Sequence, residues 1–208
     1  MLSAMAATGL ALSLVVAPTA PSSADVVPPG KIKVEVVTVN GSGCPAGTAA
    51  VAAADDNTAF TVTYSDYTAK AGSGSSPTDF RKNCQLSLRV FYPQGFTYGI
   101  AQADYRGFAS LPRGGRGLQR ANYYFMGTSP TAVSSHNING PFGDDWQFTD
   151  KTDVASIVFA PCGETRNLNV NTELRAYSNG HNASSFVTMD STDGGVSTKY
   201  HFAWKTCK

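Results

Sequence analysis

Arg81-Lys82-Asn83-Cys84-Gln85-Leu86-Ser87-Leu88-Arg89-Val90-Phe91-Tyr92 runs into a turn at Pro93-Gln94-Gly95 and returns as Phe96 to Gly107. Cys84, Leu86, Leu88 and Val90 alternate with Gln85, Ser87 and Arg89, the period of a strand with one face buried. A Pro-x-Gly turn between two such arms predicts a β-hairpin, anchored at its start by a cysteine. That hairpin is the expected folding centre.

Around this stretch the same period recurs, and no segment holds a helical period over ten residues. Lys31 to Asn40 alternates through Ile32, Val34 and Val36. Ala49 to Ala54 is too short to nucleate a helix, and the turn residues Asp55-Asp56-Asn57 separate it from the alternating Phe60 to Tyr64, so it reads as a strand. Ala121–Met126, Trp146–Thr149, Val154–Ala160, Leu168–Tyr177, Ser185–Asp190 and Ser197–Lys205 complete the set. The last two flank Asp193-Gly194, a hairpin signal. Gly127 to Asp145, interrupted by Pro130 and Pro141, reads as a long irregular connection. About ten short strands and no helix predict an all-β domain, a two-sheet antiparallel β-sandwich of jelly-roll or Ig-like type.

Residues 1–24 are set apart from that domain. Ala6 to Val16 is an apolar run of signal-peptide length, and Ser22-Ser23-Ala24 offers a cleavage site before Asp25. The basic flank usual for such a segment is missing, since the first cation is Lys31. Residues 25–30 read as a disordered leader, and 31–208 as one domain, secreted, extracellular and without a membrane span. Removing the first 24 residues leaves about 184, enough for one substantial core. Sixteen basic residues against fifteen acidic ones give no net field to attract a polyanion, so no nucleic-acid partner is expected.

The cysteines are Cys44, Cys84, Cys162 and Cys207, with no Cys-x-x-Cys and no metal-ligand spacing. An even count in an exported chain favours two disulfides. Of three possible pairings, Cys44–Cys84 with Cys162–Cys207 is favoured. It closes loops of about 40 and 45 residues, worth roughly 4 kcal/mol each in chain entropy before strain.

Gly43-Cys44-Pro45-Ala46-Gly47-Thr48, Arg81-Lys82-Asn83-Cys84-Gln85-Leu86, Tyr92-Pro93-Gln94-Gly95, Tyr105-Arg106-Gly107-Phe108, Asp190-Ser191 and Trp204-Lys205-Thr206-Cys207 occur in that order. Together they resemble a family of small exported proteins of actinomycete bacteria and filamentous fungi catalogued as a domain of unknown function. The resemblance implies an exported β-rich domain with disulfides and supplies no catalytic residues. Arg113 to Arg120 and Ser134 to Gly143 match none of its landmarks.

Several constellations bear on chemistry. Asp104 and Arg106 could polarise a ligand, but an Asp–Arg pair fixing a strand end is the simpler reading. Arg106, Arg113, Arg116 and Arg120 could meet a polyanion, though a solvated glycine-rich loop explains them as well. Asp144, Asp145, Asp150 and Asp153 surround Trp146 and Phe148, as a glycosidase carboxylate pair would, yet aspartates are also ordinary turn residues. Asp190 to Gly194 lacks the distal ligands of a calcium loop. His136, His181 and His201 are scattered, so no metal is expected. Asn40-Gly41-Ser42 and Asn182-Ala183-Ser184 are sequons. With no catalytic motif and no cofactor fingerprint, the leading expectation is a non-catalytic, monomeric domain. It would bind cell-wall or extracellular polysaccharide through the aromatic faces of Tyr123, Tyr124 and Trp146, with Arg106 and Asp104 nearby. A hydrolase using Asp104 or Asp144 and Asp145 is one alternative. A protein-binding module using residues 127–145, for an extracellular protein such as a protease, is another.

Overall fold

The computed structural model describes residues 26–129, 133–180, 183–189 and 197–207. In chain order the strands are β1 (Lys33–Asn40), β2 (Ala49–Ala53), β3 (Ala59–Tyr64), β4 (Thr68–Ala71), β5 (Arg81–Phe91), β6 (Phe96–Leu111), β7 (Arg116–Phe125), β8 (Ser134–Asn139), β9 (Phe142–Lys151), β10 (Leu168–Tyr177), β11 (Ser185–Thr188) and β12 (Thr198–Thr206). They form two antiparallel sheets packed as a sandwich. One runs β1-β5-β10-β7-β8; the other contains β2, β3, β12, β6, β11 and β4, with β9 also paired to β6.

The expected central hairpin does not form. β5 lies between β1 and β10 in the five-stranded sheet, whereas β6 belongs to the other sheet. Residues 93–95 therefore carry the chain from one layer to the other. Alternation records only that each arm buries one face, and two arms can satisfy it by facing each other across the core. Leu86, Leu88 and Val90 on β5 and Tyr98 and Ile100 on β6 are all buried in the one core.

The expected pairing of the last two strands is also replaced. β12 pairs with β6 over Phe96–Asp104 and β11 over Phe108–Ser110, so both line the edge of β6 opposite β9. Asp190 to Gly195 lies outside the described residues. The supposed irregular stretch 127–145 contains β8 and the start of β9, joined through a cis Gly140–Pro141 peptide. Val154 to Ala160 is not a strand but one turn of 3-10 helix, Val154–Ser156, followed by a single bridge from Phe159 to Gly99.

Between the sheets lies an aromatic core. Phe60 stacks on Tyr200 at 4.9 Å, and Tyr98 meets Phe125, Phe202 and Trp204 edge-on or tilted. Asn57, in the turn before β3, adopts a left-handed backbone and is buried. Asparagine tolerates that conformation better than most residues. Its side chain receives the Ile32 amide and donates to the Pro28 and Gly30 carbonyls, and Trp204 Nε1 donates to its own carbonyl. The leader, read from sequence as disordered, is thereby held at one point, with Pro28 buried. The disulfides join Cys44 to Cys84 and Cys162 to Cys207. The first pins the loop after β1 to β5; the second ties the segment before β10 to the end of β12.

Candidate functional site

The five-stranded sheet presents a continuous polar outer face. On β5 the inward residues Cys84, Leu86 and Leu88 are buried, so Asn83, Gln85 and Ser87 point away from the core. By the same alternation β10 presents Asn169, Asn171, Glu173 and Arg175, and β7 presents Arg120, Asn122 and Tyr124. Register aligns them into rows across three strands: Gln85 opposite Asn171 opposite Asn122, then Ser87, Asn169 and Tyr124. Adjacent strands lie about 4.8 Å apart, so each row spans roughly 10 Å. The Gln85, Asn122 and Asn171 amides have no hydrogen-bond partner among the described residues. Each offers an acceptor and a two-hydrogen donor to a ligand. They line a depression of about 240 Å3 together with Arg81, Arg120 and Glu173.

The charged end of this face is built around Glu173. Arg81 Nε donates to Oε2 at 2.6 Å, Arg81 Nη2 joins it there, and Arg175 Nε donates to Oε1 at 2.6 Å. Burial on its own would raise the carboxyl, but the bonds from Arg175 and Arg81 outweigh it and hold the group below the usual glutamate range. Arg120 stands directly opposite Glu173 on β7.

The five residues expected to bind ligand fall on separate surfaces. Tyr124 belongs to the amide face. Tyr123, one residue earlier, points the other way; it is half-buried and its hydroxyl lies 2.9 Å from Thr152 Oγ1. Trp146 is 5% exposed, turned into the core of β9 and stacked on Phe148, so its ring is not available as a platform. Asp104 and Arg106 lie on the outer face of the other sheet, and the expected ion pair between them is absent. Asp104 instead accepts from Gln102, from Thr149 Oγ1 at 2.6 Å and from His201 Nε2 at 2.7 Å. Both of its oxygens are engaged, which suits a structural carboxylate better than a general base. Burial opposes ionisation of Asp104, but the bonds from Thr149, Gln102 and His201 lower its pKa overall.

Asp144 and Asp145 do not converge with Asp150 either. Asp145 and Asp150 point to opposite faces of β9. Asp144 and Asp150 share a face but are six residues apart, about 20 Å along a strand. Glycosidase carboxylates stand roughly 5–10 Å apart. Asp150 does line a cavity of about 620 Å3 at the open rim between β7 and β9, beside Tyr123, Ser134 and Asp153. His136 Nε2 lies 2.8 Å from Asp150 Oδ1 and 3.2 Å from Ser134 Oγ, and its ring stacks on Phe148 at 4.4 Å. Serine and aspartate use the same ring nitrogen, so the imidazole cannot pass a proton between them as a triad histidine does.

Sequence reasoning did not single out Gln85, Asn122 and Asn171, because neutral amides form no motif. One signal was present. Asn169 and Asn171 alternate with Leu168 and Val170, marking a solvent face furnished with amides rather than charges.

The family model for a domain of unknown function, DUF4360, matches residues 30–207. The chain belongs to the DUF4360 family. A protein of Arthroderma benhamiae described as an uncharacterized secreted protein is 36% identical over 179 residues, covering 86% of this chain and 73% of that one. Among solved structures, TmCBM61 in complex with beta-1,4-galactotriose aligns over 87% of this DUF4360 chain and 92% of its own, at 10% identity and a TM-score of 0.27. So loose a superposition carries no argument about ligand or mechanism.

Proposed function

We propose that this DUF4360 protein is a secreted, non-catalytic β-sandwich that binds an extracellular polysaccharide on the outer face of its five-stranded sheet. The observation that carries the reading is the row Gln85–Asn171–Asn122, three amides without a hydrogen-bond partner among the described residues and in register across neighbouring strands. Sugar hydroxyls donate and accept, and an amide offers both functions at fixed spacing. Tyr124 in the adjacent row supplies an aromatic surface for sugar C–H groups. Export is supported by the signal-like residues 1–24, by two disulfides of the kind that persist in oxidising compartments, and by the secreted relative.

Affinity electrophoresis of the purified protein through gels containing neutral and acidic polysaccharides tests the reading. Retardation by at least one polymer, lost in Asn171→Ala, is the expected result. Migration unaffected by every polymer would remove it.

A further inference from the structure

We infer that the polysaccharide bound on this face is acidic, a uronate whose carboxylate is received by Arg120; the inference rests on the binding face proposed above. Three guanidinium groups, Arg81, Arg120 and Arg175, surround one carboxylate at that end of the sheet. Glu173 uses one oxygen for Arg81 and the other for Arg175. Arg120 has Glu173 opposite it on one side and Ser135 on the other, yet it forms no ion pair among the described residues. The cluster therefore holds two positive charges in excess.

The placement of that excess matters more than its size. Arg120 sits two residues before Asn122 on β7, about 7 Å along the strand. Arg81, Arg120 and Glu173 line the same depression as Gln85, Asn122 and Asn171. A saccharide hydrogen-bonded to the amide row has the row of Glu173 and Arg120 alongside it, where a ring carboxylate on that side meets the fork of the Arg120 guanidinium. Glu173 engages Arg81 and Arg175 with its two oxygens and leaves Arg120 as the guanidinium of the cluster without a carboxylate partner among the described residues. A nucleic acid fits less well. The amide row beside Arg120 offers donors and acceptors to ring hydroxyls, and a deoxyribose-phosphate backbone carries none.

The test measures binding of the full protein to polygalacturonate and to alginate, each beside an esterified form of the same backbone, with poly-dT as a further arm. The expected result is affinity about tenfold higher for the charged polymers than for their esters at low salt, with the difference shrinking as salt rises. Arg120→Gln should bring the charged polymers down to the level of their esters, while Asn171→Ala weakens both. Near-UV circular dichroism confirms that each variant is folded, and Arg120→Lys, which keeps the charge but not the fork, should recover only part of the preference. Equal affinity for charged and esterified forms, an Arg120→Gln variant that behaves as wild type, or retention by neutral glycans alone would overturn the inference and leave the saccharide reading standing. No binding to any polysaccharide would overturn both, as would tighter binding to poly-dT than to any glycan.

Discussion

The indole of Trp146 lies against Gly107, the residue directly opposite it on β6, and occupies the space a side chain would need. A methyl group at Gly107 would run into that ring and into the Thr188 carbonyl. Gly107→Ala is expected to destabilise the fold by about 1–3 kcal/mol, read as a lower urea midpoint. Trp146→Ala should cost about 3–5 kcal/mol. Polysaccharide retention by the folded fraction should not change in either variant. Its loss in a folded Trp146→Phe protein would put the tryptophan back at the ligand.

Binding should instead follow Tyr124 and Asn171. Removing one neutral hydrogen-bonding or stacking group is worth about 1 kcal/mol, a several-fold loss of affinity. Tyr124→Ala and Asn171→Ala are each expected to show it by calorimetry. Tyr123→Phe, which removes only a hydroxyl bonded to Thr152 at the rim, should bind as wild type.

The acid limb of stability should depend on Glu173. Its folded pKa is lowered, so the unfolded chain takes up a proton first as pH falls. Stability from this group is fully present above the unfolded value near 4.3 and declines as pH drops through the lower folded value. Glu173→Gln should cost about 1–3 kcal/mol at neutral pH, where Arg81 and Arg175 lose their acceptor. Melting temperatures of the two proteins should converge by about pH 2. A constant gap from pH 7 to pH 2 would contradict the assignment. Asp104, also lowered, contributes in the same direction and remains in both proteins.

The two disulfides should respond differently to reductant. Cys44 and Cys84 are fully buried, whereas Cys162 lies at the surface. Mild thiol treatment of the native protein should open Cys162–Cys207 first, detected by alkylation and mass spectrometry. Cys162→Ser with Cys207→Ser should cost about 4 kcal/mol by chain entropy over 45 residues. Replacing Cys44 and Cys84 should cost that and the loss of buried sulfur packing besides. Simultaneous opening of both bridges would show that the first is exposed through local unfolding.

Much of the architecture was legible because it rests on local alternation. In β5, β10 and β12 the buried side is written in Leu86, Leu88, Val170, Leu174, Tyr200, Phe202 and Trp204, and the cysteine pairing favoured among three possible ones is the one the structure holds. Trp146 was legible too, had the same rule been applied to it. In Trp146-Gln147-Phe148-Thr149 the aromatic positions alternate with polar ones, which already places the indole inside. Asn57 was readable as a turn residue, but not as the buried anchor that reaches Pro28 and Gly30, because those contacts form only when the leader is laid across the turn.

By itself the sequence determined that the chain forms strands, which side of each strand meets the core, and that four cysteines form two bridges, since side-chain period and loop length are properties of contiguous residues. The tertiary structure decided which strands are neighbours. It sent residues 93–95 from one sheet to the other and set β11 and β12 along the same edge of β6. It also brought Gln85, Asn122 and Asn171 into one row. Hydrogen-bonded register between segments tens of residues apart is chosen by packing two whole faces against each other, and no short stretch of sequence contains that choice.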